Sequence, residues 1–121
     1  MSSYDDFLDR AALANLRDVV GGDDSVLADL VSTFHEEAPL LLGRLHEGVA
    51  GRNAGAIRLN AHCLKGNAAD FGALALAELC LQMEKLGRSG ELSSAHALLT
   101  TIDVEYRRVE AALGRLLNTL R

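Results

Sequence analysis

The clearest structural signal in the chain lies in residues 27–49, which read LADLVSTFHEEAPLLLGRLHEGV. Their apolar side chains recur at steps of three, one, three and four residues, the spacing that places side chains on one face of an α-helix. Pro39 falls inside this pattern and cannot donate a hydrogen bond to the carbonyl of His35. Because the pattern keeps its phase across the proline, we predict one kinked helix over residues 24–50. The apolar positions are Leu27, Leu30, Val31, Phe34, Ala38, Leu41, Leu42, Leu45 and Val49.

The same helical spacing recurs in the rest of the chain. Four long helices with short connections must alternate in direction and pack their apolar faces together. We therefore predict a single all-α domain over residues 1–121, an up-down-up-down four-helix bundle with a short N-terminal capping helix. The other predicted helices cover about residues 9–20, 53–71, 74–87 and 91–118.

Composition agrees with this architecture and excludes several classes of function. Of the 121 residues, 49% are hydrophobic and only 4% aromatic, so the core must be built from Leu, Ala and Val, and helix formers dominate. The net charge of −5 disfavours nucleic-acid binding, which needs a basic surface. No apolar stretch approaches the ~18–20 residues that span a membrane, and the N-terminus lacks the apolar run of a signal peptide. We expect a monomeric cytoplasmic protein that binds neither nucleic acid nor membranes.

Motifs that mark the common enzyme and metal sites are absent from the sequence. It has no glycine-rich phosphate loop, no dinucleotide-binding fingerprint and no Glu-x-x-His pair of a di-iron bundle. Cys63 and Cys80 form neither a disulfide framework nor a zinc site. The segment 35–39 partly resembles the His-Glu-Pro box of sensor-kinase dimerisation helices, but its spacing is one residue short. We interpret His35 as a surface residue beside a solvated acidic pair.

The predicted third helix is a local exception to the acidic composition. Between residues 51 and 69 the only charged residues are Arg52, Arg58 and Lys65. Arg58, His62 and Lys65 are spaced four and three residues apart, so they share one face of the helix beside its apolar stripe. An acidic protein thus carries a basic patch centred on a histidine.

Gly66 follows this patch, and a glycine inside a helix costs about 1 kcal/mol relative to alanine. One reason to keep it is clearance, since without a Cβ another protein can approach the imidazole of His62. A neutral imidazole is a competent nucleophile for a phosphoryl group, and a lysine can stabilise the phosphoryl oxygens. The patch therefore suggests phosphoryl chemistry, and an ordinary surface histidine with nearby cations is the alternative.

Residues 61–73, Ala-His-Cys-Leu-Lys-Gly-Asn-Ala-Ala-Asp-Phe-Gly-Ala, resemble the signature of histidine-containing phosphotransfer (HPt) domains, the intermediates of multistep His–Asp phosphorelays. The family pattern is roughly Ala-His-x-Leu-Lys-Gly-Ser-x-x-x-x-Gly-Ala, followed by Leu, Cys and Leu-Glu. Two positions depart from it: Asn67 replaces the usual Ser or Thr, and Met83 replaces a Leu. The pattern is otherwise matched by Leu76, Cys80 and Glu84 downstream and by Phe34, Glu37 and Pro39 upstream.

The resemblance implies a role for each matching residue. His62 would accept the phosphoryl group through Nε2, Lys65 would contact the phosphoryl oxygens, and Gly66 would leave room for the partner. Glu84, on the neighbouring helix, would hydrogen-bond the other imidazole nitrogen and orient the ring. An exposed Glu84 that merely pairs with Arg88 is the alternative. Apart from the resemblance, the position of Arg58 in the basic patch suggests that it adds electrostatic support.

The resemblance also implies a function and its partners. The protein would carry a phosphoryl group between receiver-domain aspartates of two-component signalling proteins, without kinase activity of its own. Its partners would be response-regulator receiver domains and a hybrid histidine kinase. It would need no cofactor of its own, because the receiver site supplies Mg²⁺. We expect a modest apolar docking surface with candidates Leu8, Leu13, Leu16 and Ala69.

Two other functions remain open on the sequence. One is a non-catalytic helical adaptor that binds or sequesters a receiver domain. The other is the phosphotransfer module of a chemotaxis-type kinase, phosphorylated directly by a kinase domain. An exposed His62 with one unbonded ring nitrogen would favour a phosphocarrier over the adaptor.

Overall fold

The computed structural model describes residues 8–120, and over this range the chain folds into five helices. Among the four long helices, α2 packs on α3 and α5, and α4 packs on the same two helices. The four therefore close a ring in chain order, and α1 lies against α2 and α3. This arrangement confirms the predicted all-α bundle with a short N-terminal helix. The helices are α1 (Arg10–Val19), α2 (Asp24–Ala50), α3 (Ala54–Asp70), α4 (Leu74–Ser89) and α5 (Ala95–Leu120).

Side-chain caps fix where the first three helices begin. Asp9, Asp23 and Asn53 each adopt a β or extended conformation just before a helix, and each accepts a hydrogen bond from a backbone N–H of the first turn. Such caps satisfy donors that have no partner inside the helix. The connection after α3 uses Gly72, whose φ of +72° suits glycine. Its carbonyl accepts a hydrogen bond of 2.7 Å from the Asp9 backbone N–H, which ties the N-terminal segment to the α3–α4 turn.

α2 continues from Asp24 to Ala50 with Pro39 inside it, so the proline does not break the helix. Most of the predicted apolar stripe is buried or packs against the core. Leu30 is an exception, because 36% of its surface remains exposed. It lies at the edge of the stripe, rotated furthest from the buried positions, and a bundle helix buries only a limited arc of its circumference.

The connection between α4 and α5 differs from the prediction. α4 continues to Ser89 and ends at Gly90, which adopts a left-handed conformation, whereas the predicted helix ends at residue 87. α5 begins at Ala95 rather than near residue 91. The Ser89 hydroxyl accepts a hydrogen bond from the Glu91 N–H, and Ser93 donates one to the Glu91 carboxylate. Such local bonds from serine side chains favour a turn over another helical turn.

The core holds the aromatic residues of the described range in one cluster. The Phe34 ring lies 5.4 Å from the Phe71 ring, edge to face, and 6.3 Å from the Tyr106 ring, nearly parallel to it. These side chains come from α2, from the turn between α3 and α4 and from α5. Leucine, alanine and other aliphatic side chains fill most of the remaining core, as the composition predicts.

Candidate functional site

His62 lies on the edge of α3, beside the face that the bundle buries. Ala61 and Leu64 are fully buried on that face, which turns the neighbouring His62 side chain outward and leaves it 62% exposed. Its Nδ1 atom lies 3.0 Å from Oε2 of Glu84 on α4. The sequence-predicted phosphoacceptor and its predicted orienting residue are therefore in contact.

Glu84 is a buried carboxylate with three polar partners. Only 5% of its side chain is exposed. Its Oε1 accepts a hydrogen bond of 2.7 Å from Lys65 Nζ, and its Oε2 accepts one of 3.1 Å from the Arg88 guanidinium. The hydrogen bond from Lys65 lowers the pKa of the Glu84 carboxyl, burial raises it and the hydrogen bond from His62 lowers it again, with a net downward shift. Glu84 is therefore an ionised acceptor at neutral pH.

This contact selects one tautomer of the His62 ring. An ionised carboxylate can only accept hydrogen bonds, so the proton shared with Glu84 belongs to Nδ1 of His62. In the neutral ring the lone pair then lies on Nε2. An exposed imidazole with its nucleophilic nitrogen defined in this way is what phosphoryl transfer to histidine requires.

The other predicted site cations occupy different positions. Lys65 is 28% exposed and binds Glu84, leaving two of its three ammonium N–H donors for another acceptor. Arg58 is exposed and is not one of the three residues that contact the Glu84 carboxylate. Electrostatic support from Arg58 therefore stays a prediction, and it does not rest on a direct contact with Glu84.

Two glycines near the site serve different purposes. A Cβ at Gly66 would meet nothing within 4 Å, so the protein's own packing gives no reason for glycine there. A Cβ at Gly87 would lie 2.6 Å from the Arg58 nitrogen and 2.8 Å from the Ala54 carbonyl oxygen. Gly87 thus lets α4 approach the α3 backbone closely, one turn from Glu84, and this approach brings the Glu84 carboxylate within reach of the His62 ring.

Comparison with known proteins agrees with this geometry. Residues 29–119 match the Hpt domain family. The chain belongs to this family. Its structure is similar to the crystal structure of histidine-containing phosphotransfer protein B (HptB) from Pseudomonas aeruginosa PAO1, with a TM-score of 0.87 and 30% sequence identity. The match covers 95% of this chain and 97% of that chain. No curated protein matches the sequence.

Family membership confirms the resemblance read from residues 61–73. The Hpt domain is a histidine phosphotransfer module of phosphorelays, in which receiver domains are its partners. None of the helices in the described part of the chain combines the length and the hydropathy that a membrane span requires.

The predicted docking residues of this Hpt domain are only partly exposed. Leu8 is 2% exposed, so its assignment to a docking surface was wrong, because it packs into the core. Leu13 and Leu16 are half-buried against that core, and Ala69 is exposed. An apolar groove runs between α1, α2 and the end of α3. Leu16, Val19, Leu30, Phe34, Asn67 and Ala69 are among its lining residues.

The two cysteines differ in their surroundings. Cys63 follows His62 and is exposed, whereas Cys80 is buried. Burial raises the pKa of the Cys80 thiol to about 12, against a smaller lowering by the charge of Lys65. Cys80 therefore remains a neutral thiol that packs like a small apolar side chain.

Two residues of the site lay outside the sequence prediction. The sequence indicates Arg88 only as a helical partner of an exposed Glu84, and it assigns no role to Gly87. Both have a signal in the sequence, since Gly87 and Arg88 follow Glu84 by three and four residues and so lie one turn along the same side of α4. The sequence pattern does not predict how deeply Glu84 is buried. That burial is the reason why the charged partners of Glu84 are important.

Proposed function

We propose that this Hpt domain carries a phosphoryl group on Nε2 of His62 between the aspartates of receiver domains. The observation that carries the proposal is the hydrogen bond between His62 Nδ1 and the buried Glu84 carboxylate, on a ring that is 62% exposed. It leaves the Nε2 lone pair available on the surface. A histidine buried or hydrogen-bonded through both nitrogens would instead have suited an adaptor.

In the proposed reaction, the Nε2 lone pair attacks phosphorus in the aspartyl phosphate of a receiver. The N–P bond forms as the P–O bond to the aspartate breaks, and the aspartate leaves as a carboxylate with the bonding electrons. The Nδ1 proton stays on the ring, so the imidazole acquires positive charge while the phosphoryl group keeps its two negative charges. The Glu84 carboxylate stabilises this developing positive charge, as carboxylates beside catalytic histidines do.

In this proposal, both Lys65 and the receiver stabilise the phosphoryl group during transfer. Lys65 lies one turn from His62 on α3, and we assign it to the phosphoryl oxygens, where a positive charge lowers the barrier. Mg²⁺ belongs to the receiver site in this proposal, and the Hpt domain supplies no cofactor. The open space around Gly66 supports its assignment as clearance for the receiver.

The proposal also includes a hybrid histidine kinase as the source of the phosphoryl groups. It further includes a monomeric state and a cytoplasmic location for the protein.

The proposal is tested by incubating the protein with a receiver domain phosphorylated with labelled phosphate. We expect label on the Hpt domain that is lost in acid and retained in base, as a phosphoramidate is. His62→Gln should abolish the labelling. His96→Gln, which removes an exposed histidine on α5, should leave it unchanged and is the matched control.

Three outcomes would contradict the proposal. Label that survives in His62→Gln would place the phosphoryl group elsewhere. Tight receiver binding without transfer from any receiver of the source organism would indicate the adaptor. Labelling by an isolated kinase domain, with none from receivers, would indicate the phosphotransfer module of a chemotaxis-type kinase.

A further inference from the structure

The Glu84 carboxylate has more cationic partners than its proposed orienting role requires. It carries one negative charge, and the ammonium of Lys65 and the guanidinium of Arg88 both contact it in addition to His62. One cation would suffice to keep a buried carboxylate ionised beside a neutral imidazole. The second cation needs an explanation.

We propose that Arg88 is a positioning residue, which keeps the Glu84 carboxylate compensated and in place while Lys65 leaves it to contact the transferring phosphoryl group. The inference rests on the proposed function, because it concerns the step in which His62 Nε2 takes the phosphoryl group. In the resting protein Lys65 is bound to Glu84, and in the reaction the same ammonium faces a phosphoryl group with two negative charges. Arg88 makes this exchange possible.

The arrangement of the two carboxylate oxygens supports this division of roles. Lys65 binds Oε1, whereas Arg88 binds Oε2, the oxygen that also accepts the Nδ1 proton of His62. Lys65 can therefore leave without breaking the bond that orients the ring. Arg88 follows Glu84 by four residues on α4, the favourable order for a helical ion pair. Because both residues lie on α4, their contact does not require a residue of α3.

Without Arg88, the departure of Lys65 would leave a buried carboxylate with the imidazole as its only polar partner. An uncompensated carboxylate at this depth is costly. The protein would avoid that cost either by retaining Lys65 on Glu84 or by drawing a second proton onto His62. Each response impairs transfer, since the first withholds the lysine from the phosphoryl oxygens and the second removes the Nε2 lone pair.

A double-mutant cycle on transfer rates tests the inference. The rate constant for transfer from a phosphorylated receiver is measured for wild type, Lys65→Ala, Arg88→Ala and the double variant. We expect Lys65→Ala to slow transfer roughly 10- to 100-fold in the wild-type background. Arg88→Ala should slow transfer by a similar factor, because Lys65 then stays on Glu84. In the Arg88→Ala background, Lys65→Ala should cost less than about threefold more, because the two residues act as a unit.

A second measurement reports on Glu84 and His62 without any phosphorylation. The ¹⁵N shifts of the His62 ring nitrogens distinguish a proton on Nδ1, a proton on Nε2 and the doubly protonated ring. At neutral pH the Nδ1–H form should persist in each single variant, since one cation remains on Glu84.

Controls separate positioning from general electrostatics and from folding. Arg88→Lys should restore most of the transfer rate, whereas Arg107→Ala, which removes an exposed cation from α5, should not slow transfer. A lack of any transfer by the wild type would contradict the proposed function itself. A wild type that is active, with equal effects of Lys65→Ala in both backgrounds or an unchanged rate in Arg88→Ala, would overturn the role of Arg88 alone. Loss of the Nδ1–H form in either single variant would also overturn it.

Discussion

Glu84 shows how the burial of one residue links the chemistry of the site to the stability of the protein. Its side chain is 5% exposed and its three partners are all more exposed than it is. Replacing it with glutamine keeps the size of the side chain but removes the charge that Lys65 and Arg88 bind. We expect Glu84→Gln to lower the free energy of unfolding by about 1–2 kcal/mol at neutral pH, a value discounted because both cations can turn to solvent. Chemical denaturation measures this change.

The same residue predicts a pH dependence with a definite sign. The pKa of the Glu84 carboxyl is lowered in the folded protein, so the native state favours the ionised form. Its contribution to stability is therefore fully present above the ordinary glutamate pKa of about 4.3 and is lost as the pH falls through the lowered pKa. The difference in unfolding free energy between wild type and Glu84→Gln should be constant from about pH 5 to 7 and should shrink below about pH 4. A difference that is absent at neutral pH, or that grows in acid, would contradict this assignment.

At this scale the sequence is most informative about residue type and spacing. The spacing placed His62 and Lys65 on one face of a helix, and the family pattern added Glu84 from the neighbouring helix. Burial could not be predicted in the same way, because it depends on how closely α4 approaches α3. For that reason an exposed Glu84 remained an alternative, and Arg88 had no assigned role.

The packing of one helix on another depends on small residues at defined positions. Gly87 faces the α3 backbone, where a Cβ would lie 2.6 Å from the Arg58 nitrogen. Gly87→Ala must push α4 away from α3, since neither backbone atom can yield. We expect a loss of about 1–3 kcal/mol in unfolding free energy, typical of overpacking. The His62–Glu84 hydrogen bond should weaken in the same variant, which the ¹⁵N shifts of the ring would show.

Gly66→Ala is the matched control for this prediction, because both glycines lie inside helices. A Cβ at Gly66 meets nothing within 4 Å, and alanine favours the helix by up to about 1 kcal/mol. Gly66→Ala should therefore unfold no more easily than wild type, while its transfer from a receiver should slow if the glycine provides clearance. If the two variants were equally stable, a Cβ at position 87 would not limit how closely α4 approaches α3.

The elements themselves were largely predictable, and the exceptions have local causes. Periodicity located all five helices, and the caps Asp9 and Asn53 agree with the predicted starts of α1 and α3. The predicted start of α5 is wrong because the apolar period already includes Leu92, which packs against the core from the connection that precedes the helix. Periodicity reports which side chains face the core, and it does not distinguish a helix from a turn that presents the same side chain.

For the whole molecule, the prediction of a bundle succeeded because few alternatives fit four long amphipathic helices with short connections. The same sequence could not show which side chains meet at the centre, since that depends on the register between helices. Phe34, Phe71 and Tyr106 are far apart in the chain, yet their rings form one cluster. This cluster joins α2, the α3–α4 turn and α5.

Phe34 lies at the centre of that cluster and is 3% exposed, so its removal should affect the entire bundle. Phe34→Ala leaves a cavity between three elements, and we expect a loss of about 3–5 kcal/mol in unfolding free energy and a fall of roughly 10–20 °C in Tm. Phe34→Leu keeps much of the apolar volume and loses mainly the ring contacts, which are worth about 1 kcal/mol. Circular dichroism at 222 nm and the His62 ring ¹⁵N shifts should report the same transition midpoint, because a bundle with one shared core unfolds cooperatively. Distinct midpoints would mean that α3 and α4 hold the site independently of the aromatic cluster.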